Sequence, residues 1–139
     1  METSKINSEI DKILQRYKHV AVVGISTSPS KPSYEVAAYL QEVGYNIYPV
    51  NPLYDSVLGQ KCYPNLSSIP VPVEVINIFR NPEHIAPIVA EAIKIGGKVI
   101  WMQLGIINQD AARAALESGM QVIMDRCIKI EHIRYSNHS

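Results

Sequence analysis

Five short apolar runs, parted by segments of helical periodicity or by turn-rich stretches, constrain this chain more than any other feature. They cover 20–24, 46–50, 74–79, 98–102 and 121–124. Runs this short, rich in Val and Ile and apolar at nearly every position, are expected of strands covered on both faces. Strands that return through helices lie parallel and are joined by right-handed crossovers. The order therefore predicts an α/β fold, a five-stranded parallel sheet flanked by helices in a three-layer sandwich.

The intervening segments supply the outer layers. Ile6, Ile10, Ile13, Leu14 and Tyr17 recur at helical spacing and predict an opening helix over 6–17. Ser33 reads as the N-cap of a second helix, which places Val36, Ala37, Leu40 and Val43 on one face and stops at Gly44. Further helices are expected over 83–95, ended by Gly96-Gly97, and over 109–117, ended near Gly119. A last short helix fits 128–135. The stretch 53–73 holds Gly59, Cys62 and three prolines and reads as irregular.

With 139 residues, no repeat and no low-complexity segment, residues 1–139 are expected to form a single domain. Thirteen basic and thirteen acidic residues cancel, which argues against a surface for nucleic acid or anionic membrane. No segment reaches the length needed to cross a bilayer. The polar opening lacks the apolar core of a signal peptide. Cys62 and Cys127 stand alone without CxxC spacing and are expected to be reduced, in keeping with a cytoplasmic location.

Ligands of open parallel sheets bind outside the carboxyl ends of the strands, where strand order reverses. Here those ends read Gly24, Asn51, Phe79-Arg80, Gln103-Leu104-Gly105 and Asp125-Arg126-Cys127. After Gly24, which permits a tight turn and close backbone approach, come Ser26, Ser28, Ser30, Lys31 and Ser33. Their hydroxyls and ammonium suit phosphate oxygens, and Pro29 and Pro32 restrict the loop; the same composition also makes an ordinary solvated loop. A dinucleotide fingerprint would show three glycines here and an acidic residue about 20 positions on. This chain has one glycine, and Asn51 at the second strand end reads either as a ligand contact or as an Asn-Pro turn.

Arg80 offers a fork to phosphate, or a surface pair with Glu83. Gln103 and Gly105 follow the fourth strand, where a small residue admits a ligand chain or simply makes a turn. Cys127 beside Arg126 fits either a stabilised thiolate or apolar packing, and Cys62 beside Lys61 shares the ambiguity. No catalytic triad, paired carboxylates or metal cage emerges, and His19, His84, His132 and His138 lack ligand spacing.

In order and spacing, Val23-Gly24-Ile25-Ser26, Lys31-Pro32-Ser33-Tyr34-Glu35-Val36, Tyr48-Pro49-Val50-Asn51-Pro52, Phe79-Arg80-Asn81-Pro82-Glu83, Trp101-Met102-Gln103-Leu104-Gly105-Ile106 and Met124-Asp125-Arg126-Cys127-Ile128 resemble the CoA-binding domain family. These are small Rossmann-like proteins related to the nucleotide-binding domain of succinyl-CoA synthetase α subunits. The resemblance runs from about Ile10 to Tyr135 and implies coenzyme A as ligand. It implies that the loop from Gly24 through Ile25 to Ser33 faces the phosphates, with Ser26 and Lys31 leading. Asn51 and Pro52 would lie toward the adenosine, Phe79, Arg80 and Pro82 would form another wall, and Gln103 and Gly105 would lie toward the pantetheine arm.

The synthetase carries its phosphorylated histidine on a second domain, for which this chain has no counterpart segment, so catalysis is not implied. The expectation is a binding protein for CoA or an acyl-CoA, as a homo-oligomer or beside an enzyme partner. An NAD(P)-binding oxidoreductase-like protein, and a thiol-regulated protein forming a mixed disulfide with CoA, are the alternatives.

Overall fold

The computed structural model describes residues 5–138. Its elements alternate as the apolar runs require: α1 (Ile10–Arg16), β1 (His19–Val23), α2 (Pro32–Glu42), β2 (Asn46–Val50), β3 (Ser56–Val57), β4 (Gln60–Lys61), β5 (Val75–Ile78), α3 (Ile85–Lys94), β6 (Val99–Met102), α4 (Gln109–Glu117), β7 (Gln121–Ile123) and α5 (Ile128–His138). Single 3-10 turns stand at Leu66–Ser68 and Pro82–His84.

Five strands form one sheet in the order β2-β1-β5-β6-β7, with every neighbouring pair parallel. Strand direction is common, so all five carboxyl ends share one edge. The order reverses between β1 and β5, and the Rossmann-like α/β sandwich therefore opens its crevice there.

Alternation along the strands sorts the core into two layers. Ala21, Val23, Ile76, Ile78, Ile100 and Met102 pack against Ile85, Val89 and Ala92 of α3 and Ala111, Ala112 and Ala115 of α4. Val20, Val22, Val75, Val99 and Trp101 face the other way, onto Leu14 of α1, Val36 and Leu40 of α2 and Ile128 of α5. Asn77 interrupts this second layer between Val22 and Trp101, fully buried, with no protein partner for either amide atom. No helix among the described residues is long and apolar enough to cross a membrane.

Three sequence expectations need correction. The opening helix does not start at Ile6: Asn7 and Glu9 take positive φ (65° and 58°), and α1 begins at Ile10. The Asn7 side chain is engaged elsewhere, donating to the Met124 carbonyl at 3.1 Å and accepting from its N–H at 2.7 Å. With Asn7 N–H donating to Val122, it closes the outer edge of β7. Secondly, Ser33 is not the N-cap of α2. Lys31 holds that position, Pro32 fills the first helical turn, and the Ser33 hydroxyl accepts instead from Ser26 N–H at 2.9 Å. Thirdly, the stretch 53–73 contains a small antiparallel hairpin, β3 with β4, turned by Leu58 and Gly59, both at positive φ.

Candidate functional site

The carboxyl ends of β1 and β5 meet at a contact that only glycine permits. Gly24 has φ +86°, and a Cβ there would lie 2.7 Å from the Phe79 carbonyl oxygen and 2.8 Å from Arg80 Cδ. The ladder bonds continue past the strands to hold this contact: Gly24 N–H donates to Val50 at 2.9 Å and Phe79 N–H to Val23 at 2.8 Å. The result is an open crevice of about 510 Å³ whose wall includes Gly24, Asn51, Pro52, Phe79 and Arg80. Five residues read from three separate stretches of sequence are thus brought to one place, while Ile25, Ser26, Lys31, Ser33 and Pro82 do not line the crevice.

The loop after Gly24 is tied into a fixed shape. Ile25 is fully buried against the α2 layer, and its carbonyl accepts from Asn51 Nδ2 at 2.9 Å. The Ser26 hydroxyl accepts from Ser28 N–H at 3.0 Å, Ser28 and Ser30 hydroxyls pair at 3.0 Å, and Lys31 N–H donates to the Ser28 carbonyl. These serines therefore spend hydrogen bonds on the loop itself. Lys31 is exposed, and its ammonium has no partner among the described residues.

Asn51 makes the Asx turn that the Asn-Pro pair foreshadows: its Oδ1 accepts from Leu53 N–H at 2.9 Å while its Nδ2 holds Ile25. The amide binds β1's loop to β2's end and so shapes the crevice from beneath. Arg80 does not pair with Glu83; its guanidinium has no ion-pair or hydrogen-bond partner among the described residues. Pro82 opens the 3-10 turn after β5, and its carbonyl accepts from Asn108 Nδ2 at 3.0 Å.

Gln103 and Gly105 do not line this crevice. Gln103 is buried, and its Oε1 accepts from Ile128 N–H at 3.0 Å at the start of α5. Gly105 N–H donates to Asp125 Oδ1 at 2.7 Å, which ties the β6 end to the β7 end. Asp125 holds that bond at a positive φ of 60°.

The two thiols differ in kind. Cys62 is buried and donates to the Asn51 carbonyl at 3.4 Å; burial pushes its thiol up, so it is held as neutral packing. Cys127 is half-buried beside the second apolar layer, while Arg126 turns its guanidinium to the Asp125 carbonyl. Leu53, Asn81 and His84 also line the crevice, although the sequence reading did not select them. The available signal was position: each stands within four residues of a strand-end residue that had been selected.

The model of the family described as "CoA binding domain" matches residues 18–133. The Bacillus subtilis (strain 168) protein YneT is 41% identical over 125 residues, covering 90% of this chain and 93% of that protein. The ADP-forming acetate–CoA ligase II of Archaeoglobus fulgidus is 39% identical over 84 residues, and the chain spans 12% of its length. A solved structure of a hypothetical protein from Pyrococcus horikoshii OT3 superposes with a TM-score of 0.89 at 40% identity, covering 98% of this chain and 92% of that one. A dinucleotide-forming acetyl-coenzyme A synthetase 1 of Ca. Korarchaeum cryptofilum, in complex with phosphate and ADP, superposes with a TM-score of 0.74 at 28% identity. The match covers 82% of this chain but 27% of the synthetase.

Proposed function

The chain belongs to the CoA-binding domain family, and on that premise we propose that it holds coenzyme A or a CoA thioester at the carboxyl ends of its parallel strands, without catalysing a reaction on it. The observation that carries this reading is the glycine contact at the β1–β5 crossing point, where backbone without a side chain faces an open crevice. The Gly24 N–H is spent on Val50, so what this region offers phosphate is charge. Arg80 lines the crevice with a free guanidinium, and Lys31 carries a free ammonium on the loop that follows Gly24, both suited to charge-assisted hydrogen bonds. Coenzyme A fits this donor set because its negative charge is concentrated in phosphates.

In this reading Gly24, Ile25, Ser26 and Ser33 shape the phosphate loop, with Ile25 contributing only backbone. Asn51 and Pro52 stand toward the adenosine, and Phe79, Arg80 and Pro82 form the facing wall. Gln103 and Gly105 border the exit of the pantetheine arm toward β6. The ligase relatives support a role near acyl-CoA chemistry, and an enzyme that supplies or consumes a CoA thioester is the partner this reading favours. Their activity is not carried over, since the chain corresponds to 12% and 27% of the two acyl-CoA-forming enzymes compared above.

Thermal unfolding with CoA, acetyl-CoA and NAD tests the reading. A ligand present at about a hundredfold its Kd stabilises the native state by about 2.7 kcal/mol, which raises Tm by several degrees. CoA or acetyl-CoA should produce that rise and NAD should not. Unchanged unfolding with both CoA forms at millimolar concentration would refute it, and a rise with NAD alone would restore the dinucleotide alternative.

A further inference from the structure

The 3-10 turn after β5 carries three hydrogen-bond donors that the fold leaves unused. Arg80 stands at the strand end, Asn81 begins the turn and His84 ends it, the turn being closed by His84 N–H donating to the Asn81 carbonyl at 2.9 Å. All three line the crevice beside Gly24 and Asn51. None of the three side chains has a partner among the described residues.

Nor is a carboxylate positioned to neutralise them. Glu91 lines a neighbouring pocket with Arg80 but makes no ion pair with it, its Oε2 accepting instead from the Ser67 N–H at 2.9 Å and the Ser67 hydroxyl at 2.8 Å. Glu83, in the same turn, is exposed and makes no ion pair among the described residues. The turn therefore presents a guanidinium fork, an amide and an imidazole to one cavity with their hydrogen-bonding capacity intact.

A bridging phosphate, with two substituents, offers two free oxygens and one charge. A terminal phosphate monoester offers three acceptor oxygens and close to two charges at neutral pH. Three donors grouped on a single turn match the second geometry, and a planar fork is the side chain best shaped for it. We propose that Arg80, Asn81 and His84 form a subsite for a phosphate monoester carried on the ribose of the bound nucleotide, distinct from the Ser26–Ser33 loop that serves the pyrophosphate. This rests on reading the crevice as a nucleotide site. CoA carries such a monoester, dephospho-CoA lacks it, and NADP and NAD form a second pair that differs in the same way.

Calorimetric titration of the intact protein with these four compounds separates the possibilities. CoA should bind roughly ten- to a hundredfold more tightly than dephospho-CoA, the scale of charge-assisted contacts to one phosphate. His84→Ala, at an exposed position that leaves the core untouched, should shrink that ratio by weakening CoA several-fold while dephospho-CoA stays within about twofold of wild type. Arg80→Gln should act in the same direction and more strongly. Equal binding of CoA and dephospho-CoA by the wild type overturns the subsite, and so does a His84→Ala variant that weakens both alike. If neither CoA form binds, the CoA reading fails on its own; the subsite then stands if NADP binds in preference to NAD, and falls if it does not.

Discussion

Gly24 shows how much one residue can specify. Its positive φ and its contact with the Phe79 carbonyl are separate demands, and both exclude a side chain. Gly24→Ala should destabilise the protein by at least about 2 kcal/mol, combining left-handed backbone strain with displacement of the β5 end. Urea denaturation measures this directly, and an unchanged midpoint would show that the β1–β5 contact gives way easily. Asn51 makes the complementary point. Its type and position allowed either a ligand contact or a turn, and the structure spends its amide on the turn and on Ile25. Such bonds depend on where another loop lies, so no local pattern could have chosen between the two. His84 reads in sequence only as a histidine without ligand spacing, because an isolated histidine gives no sign that a turn brings it into the same crevice as Arg80.

At the scale of elements, α4 runs over Gln109–Glu117 as its apolar spacing and Asn108 cap require. The hairpin of β3 and β4 was not legible. Its two-residue strands are too short to show alternation, and Leu58 occupies a left-handed turn position normally signalled by Asn, Asp or Gly. The docking of α5 onto α2 was equally hidden, since it depends on His132 meeting Tyr39 across 93 residues. His132 Nδ1 bonds the Tyr39 hydroxyl at 2.7 Å, beside the rings of Tyr45 and Tyr135 and the Ser136 hydroxyl. Lys18 stands over the Tyr45 ring, and Lys129, paired with Glu35, over that of Tyr39. Burial, reinforced by Lys18, lowers the pKa of His132 below its ordinary 6.5.

The unfolded chain therefore takes up this proton first as pH falls. The contribution of His132 to stability is constant above about 6.5 and declines below it, until the folded value is passed. Urea midpoints at pH 7.5 and 5.5 (about one unit either side of the reference value) should differ more in wild type than in His132→Gln, which accepts a hydrogen bond but does not titrate there. Equal slopes would remove His132 from the account.

For the whole molecule, alternation of strand and helix was enough to predict a parallel sheet with every carboxyl end on one edge. The position of the crevice needed strand order as well, because only the reversal between β1 and β5 selects one gap among four. The termination of the sheet was not foreseen at all. β7 is an edge strand, and Asn7 covers it with an amide that imitates the backbone of a further strand. Removing that amide should leave the Met124 N–H without its acceptor. Asn7→Ala is expected to cost about 1–3 kcal/mol, the penalty of a buried donor left unmade. Faster hydrogen exchange at Met124 with unchanged protection in β1 would locate the effect, and unaltered exchange at Met124 would contradict it.

The same amide sets an order of events during synthesis. Asn7 and Met124 are 117 residues apart, so a ribosome adding about 5–20 residues per second needs on the order of ten seconds to bring the second into existence after the first. Throughout that interval the Asn7 segment waits for a binding partner not yet made. The seam between Asn7 and Met124 is consequently stitched only after all five strands of the sheet have been synthesised, whatever the order in which the interior strands assemble.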